Sequence, residues 1–270
     1  MDTITRPKNP PATVMRFAVL SDIHGNLAAL QAVLADVRRR GVEQIVNLGD
    51  SLSGPMLPLQ TAQLLMAQDW MQLAGNHERQ VLTLKPDVTS GAEFFTRGQL
   101  TARELDWMAT LRPRCNYADD VLLCHGTPRS DIDYFLETVT PDGLRAATPS
   151  EVTERLGAET AALVLCGHTH IARSVRATSG QLIVNPGSVG LPAYDDAWPH
   201  FHVVQNGSPD ARYAIVERHA GQWHAALISV PYDHAAMASL GRRNGSERWA
   251  VALESGYMPP ASAAHVALVP

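Results

Sequence analysis

Short apolar runs, each followed by a polar turn that contains glycine, recur through the first two thirds of the chain. We predict buried strands at residues 17–20, 44–48, 70–73, 121–124 and 161–166, because each run is brief and ends in turn residues. Helical periodicity follows the first two turns, over residues 27–40 and 57–68. Strand, turn and helix in repeated order predict parallel strands joined by right-handed crossovers.

Two capping boxes mark further helix starts. Residues 101–104 have the sequence Thr-Ala-Arg-Glu and open a predicted helix that ends near Leu111. Residues 148–151 have the sequence Thr-Pro-Ser-Glu, and Pro149 occupies the favoured first helical position. Residues 127–145, which precede this second box, show no clear periodicity, so we predict a long loop or cap beside the functional site.

The pattern changes after residue 170. We predict short strands at residues 173–177, 182–184, 212–218 and 223–230, joined by tight turns as an antiparallel meander. A last helix is expected near residues 233–243. Because no linker-like stretch divides the halves, we predict one α/β domain over residues 15–244 with two sheets packed together.

Composition excludes several classes of protein. The 270 residues are 45% hydrophobic and 18% charged, which is ordinary for a globular chain. A net charge of −5 argues against an extended nucleic-acid surface and against binding to anionic membranes. No apolar stretch approaches the roughly 18 residues needed to span a bilayer. We therefore expect no membrane partner.

The chain ends and the cysteines predict where in the cell the protein is found. Residues 1–14 contain three prolines and no apolar core, which predicts a disordered extension and no signal peptide. Residues 245–270 are predicted to be a Pro/Ala-rich C-terminal tail. Three cysteines, Cys115, Cys124 and Cys166, are too few and too buried in pattern for a disulfide framework. We therefore expect reduced thiols and a cytoplasmic protein.

Five predicted strands end in the same kind of turn. The motifs are Asp22-Ile-His24-Gly-Asn, Gly-Asp50, Gly-Asn76-His77-Glu, His125-Gly and Gly-His168-Thr-His170. In an open α/β sheet the carboxyl ends of parallel strands meet at one edge, where ligands bind. Each motif alone is weak, because a lone Gly-His is more often a turn residue than a ligand. Their recurrence predicts a metal site at the carboxyl ends of the strands.

The donor set narrows the metal chemistry. Imidazole nitrogen, carboxylate oxygen and amide oxygen, without thiolate, suit borderline divalent ions better than a structural zinc site. We predict Mn²⁺ first, with Fe, Zn²⁺ and Ni²⁺ as alternatives. Four histidines, two aspartates and one asparagine are too many for one ion. A bridging carboxylate such as Asp50 could hold two ions about 3.5–4 Å apart, and such a positive pocket suits a phosphate.

The five motifs, in this order, resemble those of the calcineurin-like metallophosphoesterase superfamily. Together with Asn185-Pro-Gly-Ser-Val-Gly190, they are most similar to its small bacterial and archaeal branch, which includes the YfcE-like phosphodiesterases. The resemblance covers about residues 16–230. It implies a four-layer α/β/β/α sandwich of two mixed sheets flanked by helices, with residues 15–244 as the metallophosphoesterase domain.

Site roles follow from the same resemblance. It implies that Asp22, His24 and His170 bind the first metal, that Asn76, His125 and His168 bind the second, and that Asp50 bridges them. It also implies that His77 is the catalytic histidine and is not a ligand. The implied activity is hydrolysis of phosphodiester or nucleotide-type phosphate esters by a hydroxide between the two metals, with His77 as general acid.

Departures from other relatives limit the substrate. Superfamily protein phosphatases carry Asp-Arg after the Gly-Asp turn, whereas this chain has Ser51-Leu-Ser-Gly54-Pro55. This departure argues against a protein phosphatase and against the diadenosine tetraphosphatase pattern, which shares the Asp-Arg. Because some small relatives nevertheless cleave dinucleoside polyphosphates, one alternative is a dinucleoside polyphosphate hydrolase with the same mechanism; the other is a non-catalytic scaffold of the Vps29 type. The scaffold lineage lacks the catalytic histidine that this chain retains. The expected partner is a small phosphate ester or nucleotide, and a homo-oligomer is left open.

Several further residues are weaker candidates. Arg79, Arg129, Tyr134 and Phe135 could bind phosphate or stack on a base, although each is as readily a surface or packing residue. His200 and His202 repeat the spacing of a ligand pair, but we favour a solvated strand face. For Asp195 and Asp196 we expect a loop.

Overall fold

Two five-stranded mixed sheets form the framework of residues 15–260, the part of the chain that the computed structural model describes. The predicted extension 1–14 and the end of the predicted tail, residues 261–270, lie outside the described residues. The strands are β1 (Arg16–Leu20), β2 (Gln44–Asn47), β3 (Met71–Gln72), β4 (Arg114–Ala118), β5 (Val121–Cys124), β6 (Glu137–Thr140), β7 (Gly143–Ala146), β8 (Leu163–Leu165), β9 (Arg173–Arg176), β10 (Leu182–Asn185), β11 (Ala193–Asp196), β12 (His202–Gln205), β13 (Ala211–His219) and β14 (Gln222–Val230). The helices are α1 (Leu27–Arg39), α2 (Pro58–Met66), α3 (Asn76–Leu82), α4 (Ala92–Gln99), α5 (Ala102–Thr110), α6 (Pro149–Leu156), α7 (His234–Arg243) and α8 (Glu247–Ser255).

Each large sheet combines parallel and antiparallel pairs. The first has the order β14-β13-β1-β2-β3, in which β1, β2 and β3 are parallel. The second has the order β4-β5-β8-β10-β9, in which β5, β8 and β10 are parallel. Strands β1, β2, β3, β5 and β8, which carry the predicted motifs at their carboxyl ends, all take part in parallel pairs.

Side chains alternate between two apolar layers along each buried strand. Phe17 and Val19 of β1 pack between the sheets with residues of β8, while Leu20 faces the other way, toward α1. Strand β5 does the same in the second sheet, where Leu122 faces α6. A period of two therefore fills three apolar layers, and the helices close the outer two. The predicted four-layer α/β/β/α sandwich is confirmed.

Helix starts follow the capping chemistry that the sequence contains. Asn26 accepts a hydrogen bond from the Ala29 backbone N–H and caps α1. Glu151 accepts the Thr148 backbone N–H at 2.6 Å, as a capping box requires at the start of α6. The α1 cap also orients the chain directly after Asp22 and His24. It therefore belongs to the turn that supports the site.

The predicted meander is wrong as a single sheet. Strands β9 and β10 belong to the second sheet, whereas β13 and β14 join the first sheet beside β1. Strand β10 is buried along its whole length and pairs with β8 in parallel, which a meander cannot provide. The long connection over residues 186–210 carries the chain from one sheet to the other and forms the separate β11–β12 pair.

Three segments are more ordered than expected. Part of the predicted loop at residues 127–145 forms the antiparallel hairpin β6–β7. The predicted turn at Asn76 is the first residue of α3, and α4 carries no signal that we recognised in the sequence. Asp195 and Asp196 lie in strand β11 and not in a loop.

The region predicted as a C-terminal tail contains helix α8. We predicted this region only as a Pro/Ala-rich tail, but α8 packs against α7 and buries Ala250, Ala252 and Leu253. Asn244, at the end of α7, donates a hydrogen bond to the Pro55 carbonyl at 2.9 Å. Alanine-rich composition suggested a tail, yet these small apolar residues let the two helices pack closely. Within residues 15–260, no helix has the length and hydrophobicity that crossing a membrane requires.

Replacing Phe17 by alanine should strongly destabilise the fold. Phe17 is 0% exposed and its ring lies 5.0 Å from Tyr117 and 6.0 Å from Trp223, measured between centroids. Removing it leaves a cavity between the sheets, so we expect a loss of about 3–5 kcal/mol in the free energy of unfolding. Urea denaturation measures this loss. The control Phe94→Ala removes a ring that is 45% exposed, and an equal loss there would contradict the layer assignment.

Candidate metal centre

The predicted ligands lie in turns with an unusual backbone conformation. Asp22, His24, Asp50, His168 and His170 all have φ between 53° and 67°. This left-handed region costs about 1–2 kcal/mol for a residue with a side chain and persists only where the surroundings enforce it. Here the first two turns enforce it together, because Asp22 N–H donates to the Gly49 carbonyl and His24 N–H to the Asp50 carbonyl, both at 3.0 Å.

Two glycines make room for the carboxylates. A Cβ atom on Gly75 would overlap the Asp50 carboxylate and the His125 ring. A Cβ atom on Gly167 would overlap Ser21 Oγ and lie 2.9 Å from Asp22 Oδ2. Neighbouring backbones therefore approach the two aspartates more closely than any other residue type would allow.

One cluster joins the first and last motifs. Single ligand atoms of Asp22, His24 and His170 lie within 4.8 Å of one another. His170 Nε2 is 3.4 Å from Asp22 Oδ1, and His24 Nε2 is 3.1 Å from His170 Nε2. The first and fifth turns, 146 residues apart along the chain, thus face a common point.

A second cluster adjoins the first. Ligand atoms of Asp50, His125 and His168 lie within 4.8 Å of one another. His125 Nε2 is 3.0 Å from Asp50 Oδ2 and 3.9 Å from Asp22 Oδ1, so it stands between the two carboxylates. Asn76 lines the same cavity as Asp50 and His168. The structure therefore brings together all seven predicted ligands.

Backbone carbonyls fix the orientation of the imidazole rings. The Nδ1 atoms of His24, His125 and His170 lie 2.8–2.9 Å from the carbonyls of Ser53, Leu48 and Leu191, respectively. Each Nδ1 therefore carries the proton and leaves Nε2 directed at the centre. His168 is reversed, because its Nε2 is 3.0 Å from the Ile132 carbonyl and leaves Nδ1 free. Such carbonyl contacts are the usual outer shell of metal-binding histidines.

Unpartnered atoms test whether a metal fits. Asp22 Oδ1 and Asn76 Oδ1 are buried without a hydrogen-bond partner, and so is His125 Nε2, whose 3.0 Å approach to Asp50 Oδ2 lacks the alignment of a hydrogen bond. Buried polar atoms normally have one, and each of these is a good donor to a divalent cation. The facing Nε2 atoms of His24 and His170 also need a cation or proton between them. The residues present fit divalent metal ions.

The electrostatics favour positive charge at the same place. Burial, together with the neighbouring histidines, lowers the pKa of His24 to about 3 and that of His168 to about 4, so both rings are neutral and able to bind metal. Burial also opposes the charged form of His125, but Asp50 outweighs it and raises the pKa to about 10. The negative charge that holds a proton on His125 would equally hold a divalent cation.

His77 adjoins both clusters, because one of its ring nitrogens lies within 4.8 Å of ligand atoms of His24 and Asp50, but its hydrogen bonding differs from that of the predicted ligands. Its Nδ1 donates to Glu93 Oε1 at 2.6 Å, and its Nε2 lies 3.9 Å from Asp50 Oδ2. Burial alone would lower the pKa of His77, but Asp50 and then Glu93 raise it to about 9. His77 is thus an imidazolium at neutral pH, with Nε2 at the cavity side.

Two glutamates support this arrangement, and neither was predicted. Glu93 belongs to α4, in a segment without a recognisable motif, so no signal in the sequence connects it with His77. Glu78 follows His77 and accepts backbone N–H groups of Asp50, Ser51 and Gly75 at 2.7–2.8 Å. Glu78 thereby ties the second turn to the third, and its place inside the Gly-Asn-His-Glu motif was a signal that could have found it.

The structure shows which of the weaker candidates lie at the cavity and which do not. Tyr134 lines the cavity and hydrogen-bonds to Tyr194 at 2.6 Å and to His202 at 2.8 Å. His202 is buried, so the prediction that it lies on a solvated strand face is wrong. Phe135 is a core residue, and Arg79 forms an ion pair with Asp131. Arg129 donates to the Glu154 carbonyl, away from the cavity.

A large cavity opens above the clusters. Its volume is about 1040 Å³, which is in the range of sites for small organic ligands. His77 and Asn76 form part of its floor, and Trp249 of α8 forms part of its wall. The Trp249 ring lies 5.7 Å from the His24 ring between centroids. The C-terminal helices therefore contact the site directly.

Comparison with known families and proteins agrees with the motifs. The model of the calcineurin-like phosphoesterase superfamily domain matches residues 15–206. An uncharacterized protein of Methanocaldococcus jannaschii is 42% identical over 65 residues, which are 24% of this chain. The match spans only 27% of that relative's length.

Solved structures share the whole fold. A metallophosphoesterase from Sphaerobacter thermophilus has a TM-score of 0.70 and 26% identity, over 90% of this chain and 99% of that chain. A hypothetical protein from Pyrococcus horikoshii OT3 has a TM-score of 0.63 and 16% identity, over 92% of this chain and 99% of that chain. The second likeness concerns the fold alone.

Divalent metal should stabilise the protein through the two clusters. We expect the melting temperature of chelator-treated protein to rise by roughly 5–10 °C when Mn²⁺ is added at about 100 times its dissociation constant. His125→Ala should lose most of this rise, because it removes a donor between the two carboxylates. His224→Ala, which changes an exposed histidine, is the control. Differential scanning calorimetry measures the shift, and an equal rise in His125→Ala would contradict the site.

Proposed function

Because the chain belongs to the calcineurin-like phosphoesterase superfamily, we propose that it is a metal-dependent hydrolase of phosphodiester or nucleotide-type phosphate esters. One observation carries the proposal: two adjoining clusters of metal donors share one cavity with His77, which its hydrogen bond to Glu93 sets apart from the predicted ligands although it lies within 4.8 Å of donor atoms of His24 and Asp50. A non-catalytic scaffold has no use for that third element.

The residues of the two clusters would hold two divalent ions. Asp22, His24 and His170 would bind one, Asn76, His125 and His168 the other, and Asp50 would bridge them. Mn²⁺ is our first choice, with Fe, Zn²⁺ and Ni²⁺ as alternatives, since the donors are nitrogen and oxygen. Two such ions, when bound, would supply a water of lowered pKa and positive charge for the phosphoryl oxygens.

His77 would donate a proton to the leaving oxygen of the ester. Its Nδ1 is bound to Glu93, which leaves Nε2–H as the proton that faces the cavity. Glu93 is the positioning residue: it holds the ring with a charge-assisted hydrogen bond and stabilises the imidazolium. Ser53 Oγ donates to the same Glu93 oxygen at 3.3 Å and so helps to hold that carboxylate.

The surroundings support a small-molecule substrate. The cavity is large enough for an ester with a substantial organic group, and the net charge of −5 argues against a nucleic-acid partner. We also propose a cytoplasmic location, which the three free cysteines support, and leave the oligomeric state open. A dinucleoside polyphosphate hydrolase remains the alternative within the same mechanism.

Metal-dependent turnover of phosphate esters is the direct test. We expect hydrolysis of bis-p-nitrophenyl phosphate in the presence of Mn²⁺. Chelator should abolish this hydrolysis, because the proposed reaction depends on metal held by the two clusters. The panel should also contain p-nitrophenyl phosphate, cyclic nucleotides and diadenosine polyphosphates. Absence of metal-dependent turnover on every substrate would favour the scaffold instead.

Replacing His77 by alanine separates proton transfer from metal binding. The variant should lose about 10²–10⁴-fold in kcat on bis-p-nitrophenyl phosphate, the usual contribution of a general acid. Its metal content should stay near that of the wild type, because His77 is not in either predicted ligand set. His219→Ala, an exposed histidine, is the matched control. Unchanged turnover, or loss of metal together with activity, would remove His77 from this role.

A further inference from the structure

The outer wall of the cavity has its own chemistry, distinct from that of its floor. Strand β11 and helix α8 build this wall, and α8 lies beyond residue 206, where the matched superfamily domain ends. Hydrogen bonds on both sides of α8 tie it to neighbouring segments. Asn244 bonds to the Pro55 carbonyl, in the loop after Asp50, and Met258 N–H donates to Gln205 of β12 at 3.0 Å.

The inner part of this wall is aromatic and apolar. Trp249 stands 5.7 Å from the His24 ring and Tyr194 stands 4.7 Å from the His170 ring, between centroids. Leu191, Ala193 and Ala252 form one apolar cluster together with these two rings and Met258. A group attached to a phosphate on the floor would therefore meet flat apolar faces next to the predicted ligands.

The charges on the same wall are mostly negative. Asp195, Asp196 and Glu247 of this wall line the cavity, against one guanidinium of the wall, Arg248, while Lys85 lines the cavity from outside the wall. Arg248 forms an ion pair with Asp195, whose side chain is only 10% exposed. The charge of Arg248 is therefore neutralised by Asp195. Glu247 pairs with Arg242 at 3.1 Å, which leaves Asp196 without a cationic partner among the described residues.

The floor and the wall of the cavity thus favour different parts of a substrate. With two divalent ions the floor attracts one phosphate, while the wall offers apolar surface and uncompensated negative charge. A polyphosphate chain that extended from the floor would lie against these carboxylates, and repulsion between like charges would oppose its binding. An aromatic or other uncharged substituent would bury apolar surface there at no electrostatic cost.

We propose that β11 and α8 select phosphodiesters whose second substituent is aromatic or apolar and carries no further negative charge. Trp249 supplies the contact surface, and Asp196 discriminates against polyanions. This inference rests on the proposed function and disfavours its dinucleoside polyphosphate alternative.

The experiment compares two substrates in the Mn²⁺-loaded enzyme, bis-p-nitrophenyl phosphate and diadenosine tetraphosphate. The wild type should prefer the first in kcat/KM. Trp249→Ala should raise KM for bis-p-nitrophenyl phosphate about tenfold while kcat changes less than about threefold, since the ring contacts the substituent and not the reacting atoms. Trp249→Phe should restore most of the affinity. Trp198→Ala, which changes a tryptophan that is 74% exposed, is the matched control.

Asp196→Asn provides a gain that structural damage cannot imitate. It should raise kcat/KM for diadenosine tetraphosphate relative to bis-p-nitrophenyl phosphate about twofold to tenfold, as expected for removal of a partly screened charge. Asp69→Asn, at an exposed carboxylate outside the cavity, should leave the ratio unchanged. The selection is overturned by an unchanged or smaller ratio in Asp196→Asn, or by a Trp249→Ala variant that matches Trp198→Ala.

Calorimetric binding of both compounds, measured beside turnover, separates the two levels of the proposal. Absence of turnover together with Trp249-dependent binding of bis-p-nitrophenyl phosphate would overturn the proposed hydrolysis alone. Turnover without preference between the substrates would overturn the selection alone. Absence of both turnover and binding would overturn both.

Discussion

Asp22 and Asp50 are fully buried carboxylates, and an ion so buried costs several kcal/mol unless opposite charge and hydrogen bonds surround it. Burial by itself would raise the pKa of both groups, yet the adjacent histidines, His170 for Asp22 and His125 for Asp50, hold both pKa values below the usual range. The turns, glycines and ring orientations around them all serve to place nitrogen and N–H groups against these carboxylates. A pair of divalent cations would complete the compensation.

This constraint explains why strain is concentrated at the same place. Five of the residues with left-handed backbone are predicted ligands, and their turns are held by hydrogen bonds to one another and to Glu78. The two packed sheets supply the rigid frame that resists relaxation of these turns, since every motif follows a buried parallel strand. A loop without such a frame would release the strain and lose the geometry.

The floor and part of the wall of the cavity come from different regions of the chain. The floor comes from turns of both sheets within the matched superfamily domain, whereas part of the wall comes from α8, beyond that domain. Trp249 connects them, because its ring contacts the apolar clusters of the C-terminal helices and also lies beside His24. Changes in α8 can therefore alter the wall of the cavity without altering the predicted donors on its floor.

The sequence was enough to predict the parallel strands β1, β2, β3, β5 and β8, the order of the five motifs and the candidate metal donors, because these depend on local periodicity and on turn residues next to each strand. It could not assign β9 and β10 to a different sheet from β13 and β14, since strand pairing depends on contacts between distant segments. Nor could it find Glu93 or Trp249, which lie in helices without a motif and reach His77 and His24 only through packing. Only the tertiary structure shows that Glu93 holds His77 and that Trp249 lies beside His24, because both contacts join segments distant in the chain.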